Sequence, residues 1–225
     1  MGEMIEFQRR NGEMVPGYLA RPQDGSARRH GAGVVLLQEW WGLSDQIKHT
    51  ADRLAAEGYQ VLLPDLYRGK VTKDPSEAAK LMGALDWAGA LADIAGAGAY
   101  LKKDGKVAAM GFCMGGALAI FAGVKAKDVI DAVVCFYGVP SRDAADPAAL
   151  EAPFLGHFAT RDQWVSPAVQ ADLRARLEHG KVDHVMHVYE ADHAFFNETR
   201  PEVHAPAHAQ TAWQRTLDFL AARLA

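Results

Sequence analysis

The sequence predicts a doubly wound α/β fold on a mostly parallel sheet, with helices on both faces and a short antiparallel hairpin at one edge. Three observations predict it. From residue 33 onward, short apolar runs alternate with longer stretches of helical spacing. The apolar runs are nearly continuous, as befits strands covered on both sides. No repeat, low-complexity linker or composition break divides the 225 residues, and 49% hydrophobic content suffices for a sizeable core, so one domain spanning 1–225 is expected.

The elements run in order along the chain. MIEFQ and VPGYLA, joined by the turn-like RNGE, read as the edge hairpin. GVVLLQ (33–38) is the first core strand, and SDQIKHTADRLAAEG (44–58) is a helix with Ser44 as cap and Gly58 as terminator. YQVLLP (59–64) is the next strand, leading to a helical stretch that opens at Asp74-Pro75, runs to about Lys103 and is broken near Gly83. KVAAMGF (106–112) feeds the helix MGGALAIFAGV. DAVVCFYG (131–138) and PFLGHFA (153–159) are strands separated by a polar, Ala-rich connection. Ser166-Pro167, a cap followed by proline at the first helical position, opens a helix to about His179. HVMHVYE (184–190) is the last strand and QTAWQRTLDFLAARL the closing helix.

Charge and composition exclude several functions. The net charge is −4 and Lys and Arg are scattered, so no basic stripe waits for a nucleic acid. The N-terminal residues lack an apolar signal-like region and no run reaches membrane-spanning length, which leads us to expect a cytoplasmic protein without a membrane partner. Two cysteines, Cys113 and Cys135, are too few for a disulfide framework. Cys135, inside an apolar strand, reads as a small core residue.

Cys113 stands in a different context. Gly111-Phe112-Cys113-Met114-Gly115-Gly116, between a strand and a helix, is the G-x-S-x-G nucleophile elbow with cysteine in the serine position. The glycines let strand and helix approach closely while the central residue takes a strained conformation. A helix N-terminus also favours the thiolate. The elbow of an α/β-hydrolase fold requires an acid after a later strand and a base after the last one. Asp162 follows PFLGHFATR and His193 follows HVMHVYEAD, so both places are filled. His49, His179, His184 and His187 lie within or beside helices and strands and compete poorly for the base role. His204 and His208, four apart, make a weak metal pair, because Pro206 lies between them and no clustered third ligand accompanies them.

With these residues in view, the chain resembles the dienelactone hydrolase family of α/β-hydrolases. The segments that carry the resemblance are LLQEWWG, GYQVLLPDLYRG, GFCMGG, CFYG, GHFATRDQWVSPA and YEADHAFF, spread over nearly the whole chain. The resemblance implies a Cys-His-Asp triad of Cys113, His193 and Asp162. It implies that Glu39 contacts the resting thiol and swings away when substrate binds. Backbone amides of Met114 and Trp40 are expected to hold the oxyanion, and Trp40, Trp41, Tyr137 and Phe195 to offer apolar walls. Family members acting on dienelactones clamp the substrate carboxylate with two arginines. Arg68, directly after DLY, is the candidate for the first, whereas Ala194-Phe195-Phe196-Asn197 offers none for the second before Arg200.

The expected activity is hydrolysis of a small lactone or carboxylic ester through a cysteine acyl-enzyme, with water as co-substrate, no metal or organic cofactor, and a monomer or weak oligomer as the working form. A broad carboxylesterase or thioesterase is the alternative within the enzyme class. Outside it stand a binding module that lost its chemistry and a redox pair of Cys113 with Cys135.

Overall fold

The computed structural model describes residues 1–22 and 31–225. Among these residues eight strands, β1 (Glu3–Gln8), β2 (Met14–Ala20), β3 (Gly33–Leu37), β4 (Gln60–Pro64), β5 (Val107–Phe112), β6 (Ala132–Phe136), β7 (Phe154–Arg161) and β8 (His184–Asp192), form one sheet in the order β1-β2-β4-β3-β5-β6-β7-β8. The β1–β2 hairpin and its junction with β4 are antiparallel, and every other pairing is parallel. This is the α/β-hydrolase arrangement with an N-terminal hairpin at one edge.

The helices are α1 (Asp45–Ala56), α2 (Pro75–Gly83), α3 (Trp87–Leu101), α4 (Met114–Lys125), α5 (Pro167–His179) and α6 (Pro206–Arg223). Asp74 caps α2, its carboxylate accepting the Ser76 and Glu77 amides, and Asp86 caps α3 through the Ala88 amide. These caps make the break near Gly83 a clean two-helix junction. The last helix begins at Pro206, four residues before the stretch expected from hydrophobic spacing, because proline at the first helical position costs no hydrogen bond there.

One apolar layer unites the inner sheet face with α3, α4 and α5, through residues such as Ile94, Leu118 and Leu173. The other unites the opposite face with α1 and α6, through Ile47, Leu54 and Leu217. β3, β5 and β6 are buried along their whole length. Burial on both faces is the physical source of their unbroken apolar sequences. Among the described residues no helix is long and apolar enough to cross a membrane.

Register positions the residues just beyond each strand. Phe112 pairs with Phe136, so the residues after β5 and β6, Cys113 and Tyr137, leave the sheet side by side. Arg161 pairs with Asp192 beyond a bulge, so Asp162 and His193 emerge together. Glu39 lies two residues beyond β3. Five neighbouring strands thus discharge their following residues at one edge, where open parallel sheets gather ligands.

Candidate active site

Cys113 occupies the N-cap of α4 with φ 54° and ψ −117°. Such a backbone costs a non-glycine residue of order 1–3 kcal/mol, and it persists because the surroundings fix it. The Cys113 amide donates to Phe136 O (3.0 Å) and its carbonyl accepts from Ala117 N (3.1 Å). A Cβ on Gly116 would lie 2.7 Å from Phe136 O, so only glycine lets α4 come this close to β6. Tyr137 (φ 40°) and Ala194 (φ 65°), on the wall of the same cavity, share the left-handed conformation.

That cavity, of about 520 Å³, is lined by Cys113, His193, Glu39, Met114, Trp40, Trp41, Tyr137 and Arg200, together with residues from α2, α3 and the loops after β6 and β7. His193 Nδ1 lies 2.7 Å from Asp162 Oδ2. A carboxylate can only accept, so Nδ1 carries the proton and Nε2 is left as the basic nitrogen of the neutral ring. The other Asp162 oxygen accepts the Trp164 and Val165 amides, each at 2.8 Å. One carboxylate therefore both shapes its loop and holds the imidazole. Among the described residues no side-chain hydrogen bond joins the Cys113 sulfur to His193 or Glu39, and the Met114 amide favours its charged form.

The electrostatics of the thiol differ from the helix-terminus expectation. Burial pushes the Cys113 thiol far above the ordinary range, and the Glu39 carboxylate pushes it further. The Met114 amide opposes both and loses. This direction favours a neutral thiol at rest. Glu39, 5% exposed, is itself raised by burial, against a hydrogen bond from Asn197 Nδ2 (2.8 Å) and another from Tyr137 Oη (3.3 Å). Cys135 is fully buried, its thiol donating to Gly138 O at 2.9 Å, and both cysteines are free.

Two residues expected to bind substrate lie elsewhere. Arg68 is not part of the cavity: its Nη2 pairs with the buried Asp93 at 2.8 Å and its Nη1 donates to Asp65 O at 2.6 Å. The buried Asp93 carboxylate, on α3, claims the guanidinium that the resemblance would send to substrate. Phe195 is wholly buried, packing on Tyr137 and Tyr189 at 5.6 and 5.0 Å between centroids, and is core rather than wall. In their place the cavity gains Arg200, Trp87, Met82, Val139 and Trp164. Trp164 belongs to the recognised DQWVSPA segment and meets Trp40 edge-on at 6.1 Å. Trp87 and Met82 carry no local signal, since only packing brings α2 and α3 to this edge. Asn197, the donor to Glu39, stands just after the base and was legible only as a non-arginine.

Fold and site define an α/β-hydrolase. The model of the dienelactone hydrolase family matches residues 15–224, and the chain belongs to that family. It is 36% identical over 233 residues to Protein usf of Aquifex pyrophilus, with 97% of each chain covered. It is 27% identical over 235 residues to carboxymethylenebutenolidase 1 of Cupriavidus pinatubonensis, covering 98% of this chain and 97% of that one. A crystal structure of a protein assigned as a dienelactone hydrolase from Klebsiella pneumoniae superposes with a TM-score of 0.86 at 26% identity, covering 98% of both chains. The protein is thus a hydrolase of this family.

Proposed function

We propose that the protein hydrolyses a carboxylic ester or lactone with Cys113 as nucleophile, His193 as general base and Asp162 as the group that orients it. The observation that carries this reading is the 2.7 Å contact of His193 Nδ1 with Asp162 Oδ2, with Cys113 and His193 on the wall of one cavity. Substrate binding displaces Glu39 from its place beside the thiol. His193 Nε2 then takes the thiol proton and the sulfur attacks the ester carbonyl carbon. The amides of Met114 and Trp40 hold the resulting oxyanion. Collapse expels the alcohol, protonated by the imidazolium, and leaves a thioester on Cys113. Water, deprotonated by the same imidazole, releases the acid and restores the thiol. Tyr137 and Trp41 line the path of the substrate.

Turnover of p-nitrophenyl acetate tests the assignment. Cys113→Ala should abolish it, and His193→Ala should lower kcat/KM by about 10³-fold. Mass spectrometry of wild type quenched during turnover should show an acetyl group on Cys113. Undiminished hydrolysis by Cys113→Ala would refute the nucleophile. Comparing a dienelactone with neutral esters separates a lactonase from a broader carboxylesterase.

A further inference from the structure

We infer that the substrate carries an uncharged aromatic or branched apolar group, seated against Met82, Trp87 and Val139, rather than a free carboxylate; this rests on the ester-hydrolase reading above. The cavity of about 520 Å³ is within the range of roughly 300–1,000 Å³ that houses drug-sized ligands, so a lactone of minimal size leaves much of it unfilled. The wall supplied by α2, α3 and the loop after β6, Met82, Trp87, Val139 and Pro140 among it, is apolar apart from Ser141 and the Tyr137 hydroxyl and contains no charged side chain. Met82, Trp87 and Val139 are partly buried, each packed on the core on one side and open to the cavity on the other. Four of the five tryptophans, Trp40, Trp41, Trp87 and Trp164, line it together. Trp87 is held edge-on by Phe121 at 5.3 Å, a rigid surface for an incoming ring.

Of the two arginines, Arg68 is not free to receive a carboxylate. Arg68 is bound to Asp93, whose side chain is 2% exposed, and drawing it away would deprive a buried carboxylate of one of its two cations. Arg200 does reach the cavity, with its Nε on Glu202 at 2.8 Å and its guanidinium 5.9 Å from the Trp41 ring, and it is not part of the wall of Met82, Trp87 and Val139. An anionic group entering here also meets the buried Glu39.

The test compares three esters with one leaving group: p-nitrophenyl acetate, p-nitrophenyl 3-phenylpropionate and the p-nitrophenyl monoester of succinic acid. The phenylpropionate should exceed the succinate in kcat/KM by at least tenfold and should exceed the acetate as well. Trp87→Leu should reduce the phenylpropionate-to-acetate ratio at least fivefold. Met82→Lys, at a partly exposed position that tolerates a charge, should shift the phenylpropionate-to-succinate ratio toward succinate. Equal values for the three esters, or preference for succinate by wild type, overturns the inference while leaving the hydrolytic reading intact. Absence of turnover and of any Cys113 adduct with all three overturns that reading instead. The apolar wall is then read directly by titrating Cys113→Ala with methyl 3-phenylpropionate and monomethyl succinate and following tryptophan fluorescence. Tenfold tighter binding of the aryl ester supports the inference, and equal binding defeats it.

Discussion

At Cys113 two effects of opposite sign meet. The first-turn amides of α4 favour a thiolate, and the buried cavity with its neighbouring carboxylate disfavours one. Desolvation acts on the full charge of the thiolate, while the amides supply only partial charges, so burial prevails. A neutral resting thiol resists oxidation and adventitious alkylation. Glu39→Gln removes the anion next to it without changing shape. Iodoacetamide labelling of Cys113 at pH 8 should then accelerate, by about tenfold for each unit the thiol pKa falls. A rate equal to or below wild type would show that Glu39 does not hold the thiol neutral. Asn197 belongs to the same balance, because its amide at 2.8 Å, with the Tyr137 hydroxyl at 3.3 Å, holds the Glu39 carboxylate in place.

The elbow illustrates the element scale. A Cβ on Gly115 would run into Leu37 O and lie 2.6 Å from Gln38 O, both backbone atoms of the strand end that carries Glu39. Neither can step aside without moving β3. Gly115→Ala is therefore expected to destabilise by about 3 kcal/mol through overpacking, seen as a lowered urea midpoint, and to misplace the thiol. Gly83, at the end of α2, has nothing within 4 Å of the corresponding point. Gly83→Ala should be neutral or stabilise by about 0.5–1 kcal/mol through helix propensity. If the two substitutions cost the same, close helix–strand approach is not what the elbow glycine provides.

Across the whole molecule, two polar clusters tie elements distant in sequence. Asp93 on α3 binds Arg9 from the hairpin (2.6 Å) and Arg68 from the loop after β4 (2.8 Å), fastening the antiparallel edge to the parallel sheet. His157 on β7 is fully buried, with Nδ1 2.9 Å from Tyr189 Oη and Nε2 3.1 Å from Thr216 Oγ1 on α6. Burial holds His157 well below the usual histidine range, and His187 and Arg215 add to the effect. Linkage sets the sign. Below about pH 6.5 the unfolded chain takes up a proton that the folded chain refuses, so the neutral ring's contribution is present above that pH and lost as pH falls. Each such histidine costs about 1.4 kcal/mol of stability per pH unit below it. His187, lowered by partial burial, acts in the same direction. Urea unfolding at pH 7 and pH 5 should show a smaller acid loss for His157→Gln than for wild type; an identical loss would clear this histidine of the role.

By itself the sequence determined the order of strands and helices and the side chains delivered to the sheet's carboxyl edge. Buried parallel strands leave unbroken apolar runs, and an elbow leaves its glycines, so Cys113, Asp162 and His193 could be placed at strand ends from the elbow motif and the order of elements it requires. Tertiary structure alone decided who shares their cavity. Trp87, Met82 and Arg200 reach it because helices and loops remote in sequence fold over one edge, while Arg68 turns to Asp93 and Phe195 sinks into the core. The upward push on the Cys113 thiol arises there too, because desolvation sums over every neighbour in space, and no local pattern of residues encodes that sum.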